Sequence, residues 1–232
     1  MPDRRALMAD ALALYDDSPF TERAFVHLRA LLSDLPAVET RTPKQGTILD
    51  LGCGHGLLAN LLALGSPERD VLGIDIDPSK IAAARRTIRG RTNIHFAVGD
   101  ALDPPGGPYR AVTVGDVLYL LPAEAQRQVI AAAWHILEPG GLFVWKSQVR
   151  RPRWKYAITY GQEWLMTHVG PTKGATLCFL DTDESLAALH AAGFRASACL
   201  LPSRRPYSDM LFIGEKAAEP ANPIQTKIGG VA

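Results

Sequence analysis

This chain has no long apolar run. The longest stretches, such as Leu57–Leu64, fall well short of the roughly 20 residues that cross a bilayer. No apolar segment follows the arginines of the opening MPDRRALMAD, so no secretory leader is expected either. Cysteine is scarce. Cys53, Cys178 and Cys199 are far apart, odd in number and without a C-x-x-C pair, which argues against a disulfide framework and against a zinc knuckle. An excess of one charge is also missing. The 25 Lys and Arg stand against 24 Asp and Glu, a formal net charge of +1, and so even a balance lacks the basic field that draws nucleic acid. No nucleic-acid partner is expected, and a cytoplasmic location is the default. There is no internal repeat. What is present is material for a core: 232 residues, 47% of them hydrophobic, suffice for one domain.

The first 46 residues read as helical. Phe25, Leu28, Leu32 and Leu35 recur at spacings that put them on one helix face. Ser18-Pro19 offers an N-cap followed by proline at the first helical position. Pro36 closes the region, and the polar stretch AVETRTPKQG, residues 37–46, reads as a loop. Strands and helices then alternate. Strands are predicted at 47–51, 71–75, 94–98, 111–115 and from 142, with helices at 57–64, 78–88 and 123–137. Asp77 precedes Pro78 as an N-cap, and the EPGG at 138–141 stops the third of these helices. Such alternation means right-handed crossovers and a parallel sheet covered on both faces. The end of the chain differs. A helix over 183–192 is followed by strand-like FRASACLL (194–201) and YSDMLFIGE (207–215). The link between them is too short for a parallel crossover, so the last strand is expected to run antiparallel.

The chemistry concentrates in ILDLGCGHGLLA, residues 48–59. Cys53 and His55 are metal-ligand types, but two ligands with nothing nearby to complete four do not make a metal site, and none is expected. A nicotinamide dinucleotide loop reads G-x-G-x-x-G, and here Leu57 occupies the place of its third glycine. The pattern present is Asp50-x-Gly52-x-Gly54-x-Gly56. Its glycines still permit close approach of a ligand to the backbone. Three further acids follow at the ends of successive strands: Asp75, Asp100 and Asp116. Each alone reads as a turn or cap residue. Together they would repel a pyrophosphate and welcome a ligand carrying a sulfonium and an ammonium group.

These segments resemble those of class I S-adenosylmethionine-dependent methyltransferases. The resemblance rests on LDLGCGHG, GIDID (73–77), VGDAL (98–102), VGDVLYLLP (114–122) and LEPGGLFV (137–144), in the family's order. It implies a doubly wound α/β sandwich with a seven-stranded, mostly parallel, Rossmann-like sheet and an antiparallel last strand. It implies one domain over 1–216: a helical cover (1–46), a cofactor-binding core (47–148), an acceptor-site cover (149–181) and a final helix and hairpin (182–216), with 217–232 a disordered tail. The implied cofactor is S-adenosylmethionine, leaving as S-adenosylhomocysteine. In the resemblance the backbone of Gly52, Gly54 and Gly56 lies against the methionine part, beside Asp50. Asp75 holds the ribose hydroxyls, Ile76 packs on the adenine, and Asp100 and Ala101 meet the adenine edge. Asp116 closes the methionyl side. Tyr15 reaches the cofactor from the N-terminal cover or is simply a packing aromatic.

The acceptor is less marked. No catalytic base stands out, in keeping with a reaction that depends on alignment. GDVLY after the fourth strand lacks the N/D-P-P-Y turn of amino-methylating DNA enzymes. Residues 150–164 hold Trp154, Tyr156, Tyr160 and Trp164 beside the basic Arg150, Arg151, Arg153 and Lys155. The aromatics suit an apolar pocket for a small, hydrophobic or lipid-like acceptor, and the basic run suits a solvated face or contact with a membrane surface. Lys146 at the end of the fifth strand either faces the acceptor or covers a helix. An RNA or protein methyltransferase, a silent cofactor-binding partner and a nicotinamide-dependent oxidoreductase are the alternatives.

Overall fold

Apolar runs of four to seven residues flanked by helices are the material of a parallel sheet buried on both faces, and that is what they build. In a computed structural model, which describes residues 3–149, 177–201 and 209–218, the N-terminal part forms α1 (Arg4–Ala13), α2 (Phe20–Leu32) and α3 (Leu35–Arg41). The alternating part follows as β1 (Gly46–Leu51), α4 (Leu57–Gly65), β2 (Arg69–Asp75), α5 (Pro78–Arg86), β3 (Ile94–Val98), β4 (Tyr109–Gly115), α6 (Ala123–Ile136) and β5 (Leu137–Gln148). The described part ends with α7 (Thr182–Ala191), β6 (Arg195–Leu200) and β7 (Asp209–Glu215). One seven-stranded sheet runs β3-β2-β1-β4-β5-β7-β6. The first five strands run parallel to one another, and β7 is antiparallel to both β5 and β6. The expected architecture and the antiparallel last strand are therefore observed.

Side chains alternate across each strand. Ile48 packs with Leu61, Leu62 and Val71 on one face of the sheet, while Leu49 and Leu51 pack with Val112, Ile130 and Trp145 on the other. Asp50 shares the face of Ile48 and so lies under the loop that leads into α4. The order reverses at β1, which pairs with β2 on one side and β4 on the other. Ligands of open α/β sheets bind outside the carboxyl ends of the strands at such a switch point.

Four local expectations are corrected. The stretch 35–41 is a helix rather than the start of a loop, with Pro36 in its first turn instead of closing the preceding region. The reason is tertiary: Leu35, Ala37, Val38 and Glu39 are buried, and Arg69 donates to the carbonyls of Glu39, Thr42 and Pro43 while pairing with the Glu39 carboxylate at 2.9 Å. In α2 the buried residue is Val26, whereas Leu28 of the predicted face is exposed. Pro19, not Ser18, is the N-cap of α2, and it makes no side-chain cap. α6 ends at Ile136, just before EPGG, as expected, but β5 begins at Leu137 rather than 142 and includes EPGG, where the register against β4 shifts between Tyr109 and Ala111 and Gly140 takes φ +78°. Among the described residues, no helix is long and apolar enough to cross a membrane.

Candidate active site

The loop from β1 to α4 is built by its glycines. Gly56 is the N-cap of α4 in the left-handed region, φ +86°, and a Cβ there would sit 2.7 Å from Phe96 Cζ and 3.0 Å from Ala84 Cβ. Gly54 is also left-handed, at φ +56°, but a Cβ on it would meet nothing within 4 Å. The space it faces is a cavity of about 450 Å³ at the carboxyl edge of the sheet.

Asp75 ties the loop to the end of β2. Its Oδ2 accepts from the Gly54 N–H and its Oδ1 from the Asp77 N–H, both at 2.9 Å. Each oxygen keeps a lone pair for another donor. Asp100 closes a turn by accepting from the Leu102 N–H at 2.9 Å. Gly52, Gly54, Asp75, Ile76, Asp100, Ala101 and Asp116 all line the cavity. Ile76 is 70% exposed, an apolar side chain left open at the rim.

The other three predicted residues do not line it. Gly56 packs against Phe96, as above. Tyr15 is buried, donates to the His55 carbonyl at 2.7 Å and accepts from Asn60 Nδ2 at 3.1 Å. It braces the loop from the protein side, and burial pushes its phenol well above the usual range. Asp50 is 1% exposed. Its Oδ1 accepts from the Thr113 hydroxyl at 3.0 Å, while Oδ2 is buried with no hydrogen-bond partner. Burial raises its carboxyl to about 7, opposed by Thr113 and by the charge of Arg29.

Asp116 does more than line the wall. It is a non-glycine residue at φ +54°, a conformation that marks functional positions more than others. The Ser33 hydroxyl donates to Oδ2, and Lys146 Nζ donates to Oδ1 at 2.7 Å. Lys146 is fully buried and also donates to Asp209 Oδ1 at 3.1 Å. Burial works against ionisation of Asp116, but the Lys146 ammonium, the Arg29 charge and the Ser33 hydroxyl hold its carboxyl below the ordinary value. Lys146 thus neither faces an acceptor nor covers a helix; it ties β4, β5 and β7 together.

Sequence reasoning missed Arg29, Ser33 and His55. Arg29 of α2 lines the cavity and donates to the Gly115 carbonyl at 2.7 Å. His55, considered in the sequence only as a metal-ligand type, also lines the cavity, with its ring 5.1 Å from that of Phe25. Burial lowers its imidazole pKa, and the nearby Lys80 charge adds to the effect. Among the described residues, no three His, Cys, Asp or Glu side chains are placed to hold a metal ion. The aromatic and basic residues of 150–164 lie outside the described residues.

A glycine loop, an acid at each of the next strand ends and a cavity between them coincide with a family match: residues 48–141 match the model of a methyltransferase domain. Residues 48–141 are thus similar to a methyltransferase domain. S-adenosylmethionine is the cofactor of this family. The chain is 34% identical over 130 residues to the ribosomal RNA large subunit methyltransferase G of Streptomyces avermitilis, covering 52% of this chain and 32% of the relative. It is 33% identical over 116 residues to the ubiquinone biosynthesis O-methyltransferase of Xylella fastidiosa, covering 47% of this chain and 46% of the relative. The chain thus matches less than half the length of either curated relative. An O-methyltransferase family protein from Burkholderia thailandensis shares the fold, with a TM-score of 0.64 at 21% identity over 94% of this chain and 60% of that one. The site of the methyltransferase domain fits the cofactor. The open face of Gly54 leaves room beside the backbone, Asp75 keeps acceptor capacity for two hydroxyls, and the unpartnered oxygen of Asp50 suits a cationic group.

Proposed function

We propose that this protein binds S-adenosylmethionine in the cavity and methylates a small acceptor with an apolar body. The observation that carries the reading is the single cavity wall formed by Gly52, Gly54, Asp75, Asp100 and Asp116 at the switch point of the sheet. When bound, S-adenosylmethionine supplies a methyl group on a sulfonium, whose leaving group is already activated for in-line displacement. In this reading Asp75 accepts from the ribose hydroxyls, and Ile76 covers one face of the adenine. Asp100 and Ala101 meet the adenine edge. The loop backbone and Asp50 take the methionine end, and Arg29, which has N–H groups beyond the one spent on Gly115, takes its carboxylate. Asp116, with both oxygens engaged by Ser33 and Lys146, fixes α2 against the end of β4 and so shapes the acceptor side. The work of these residues is to orient and to exclude water. The cavity lining also includes the apolar Val26, Val117, Leu120 and Leu121, which supports a hydrophobic acceptor.

A second reading, methylation of ribosomal RNA, is favoured by the 34% identity to the Streptomyces relative. The even charge of the chain supports the small acceptor instead. Tritiated S-adenosylmethionine offered with a small-molecule extract and, separately, with ribosomes decides between them, with Asp75→Ala as the inactive control. Label in the organic-soluble fraction is expected; label confined to RNA overturns the small-acceptor reading. Failure of S-adenosylhomocysteine to bind in isothermal titration calorimetry overturns the cofactor assignment.

A further inference from the structure

We propose that Asp50 is a proton-carrying counter-ion: neutral in the ligand-free protein, it releases its proton when a cationic ligand enters the cavity. The inference rests on the cofactor reading above and concerns what this residue does on binding.

The geometry comes first. Asp50 sits at the end of β1 beneath the glycine loop and is 1% exposed. Among the described residues, the one side chain that donates to it is the neutral hydroxyl of Thr113, and the backbone of Ala59 in α4 adds a smaller pull toward the ionised form. Its second oxygen is buried with no hydrogen-bond partner among the described residues, and no Lys, Arg or His nitrogen among them lies within 4 Å of it, unlike Asp116, which has Lys146 at 2.7 Å. An ionised carboxylate in that position would forgo hydration on one oxygen with nothing in exchange, a cost of several kcal/mol that such groups avoid by staying protonated.

The surrounding charges do not reverse this. From α2, Arg29 favours the ionised form at longer range; from the end of β2, Asp75 opposes it. The Cys53 thiol of the loop is itself held in the neutral form, chiefly by burial. The direction of the Asp50 shift, up to about 7, agrees with the geometric reading. An ammonium on the other side of the loop supplies the missing compensation. The carboxyl O–H bond of Asp50 then breaks, the proton passes to buffer, and the carboxylate stays behind as the counter-ion. Ligand affinity therefore rises with pH up to about pH 7 and levels off above it.

Calorimetry in buffers of different ionisation enthalpy measures the protons released. For the full-length protein, S-adenosylhomocysteine is expected to release close to one proton at pH 6 and about a tenth of one at pH 8, with affinity about tenfold weaker at pH 6. 5′-Methylthioadenosine keeps the adenosine and lacks the ammonium, and is expected to release none. Asp50→Asn abolishes the release. Because His55 is present in both proteins, their difference belongs to Asp50. Thr113→Val removes the side-chain bond that favours the carboxylate and moves the release window to higher pH, which keeps the test open should Asp50→Asn fold poorly. Binding of S-adenosylhomocysteine without proton release at pH 6, or release that persists in Asp50→Asn, overturns the inference and leaves the cofactor reading standing. Absence of binding at every pH overturns both.

Discussion

Gly54 and Gly56 stand two residues apart, and the structure separates what each is for. A Cβ on Gly56 collides with Phe96 and Ala84 inside the fold, whereas a Cβ on Gly54 enters only the cavity. Gly56→Ala is therefore expected to cost about 3 kcal/mol or more of stability, from strain at positive φ plus overpacking. Gly54→Ala is expected to cost only ~1 kcal/mol while weakening S-adenosylhomocysteine by about tenfold or more, as expected for a cradle that has been filled. Urea denaturation and calorimetry on the two variants check both statements; equal loss of stability would refute the distinction. The glycines and the acids at strand ends were legible in the sequence because the motif and the strand ends mark them locally. Arg29 and Ser33 were not, because their partners Gly115 and Asp116 lie 86 and 83 residues away. Nothing in FTERAFVHLRALL distinguishes an arginine that reaches a cavity from one in solvent. Asp116 lines the cavity, but its engagement by a buried lysine from β5 needed the sheet to be assembled.

At the scale of elements, α2 is the piece of the N-terminal cover that reaches the cavity, through Phe25, Val26 and Arg29. Its polar attachments to the end of β4 are the Ser33–Asp116 and Arg29–Gly115 hydrogen bonds. Ser33→Ala removes a bond to a charged group, worth about 1.5–3 kcal/mol, and is expected to raise amide hydrogen exchange in Phe20–Leu32 more than in α6. Uniform exchange across both helices would mean that the hydroxyl does not dock α2. Lys146→Met goes further, leaving Asp116 and Asp209 buried without their shared cation. A loss of about 3–5 kcal/mol in urea denaturation is expected. The strands and crossovers were readable because their period and boundaries are local properties. The helix at 35–41 was not, since its order comes from burial and from Arg69, which is contributed by β2. The same tertiary override turned Leu28 outward and Val26 inward in α2.

For the molecule as a whole, the two acids at the site pull stability in opposite directions with pH. Asp116, whose carboxyl is held below the ordinary range, contributes stability that is present above the unfolded pKa and is lost as pH falls through the folded one. Asp50, raised to about 7, contributes stability that is fully present below the unfolded pKa of about 3.9 and is lost as pH rises through the folded one. Over the window from about pH 4 to 7 the unfolded chain has released this proton and the fold has not, so the Asp50 contribution declines by at most about 1.4 kcal/mol per pH unit. Asparagine at position 50 does not titrate. The stability of Asp50→Asn relative to the unmodified protein is therefore expected to improve between pH 5 and pH 8 in urea denaturation without ligand. Asp116 and His55 are present in both proteins and cancel in the comparison. A difference that stays constant between the two pH values would show that Asp50 is ionised throughout. Saturating S-adenosylhomocysteine is expected to narrow or reverse the advantage at pH 8, since ligand stabilises only in proportion to its affinity. On the counter-ion proposal, the substitution that relieves the ligand-free fold also removes the group that would pair with the ligand, so the orphaned oxygen would be a stability cost retained for binding.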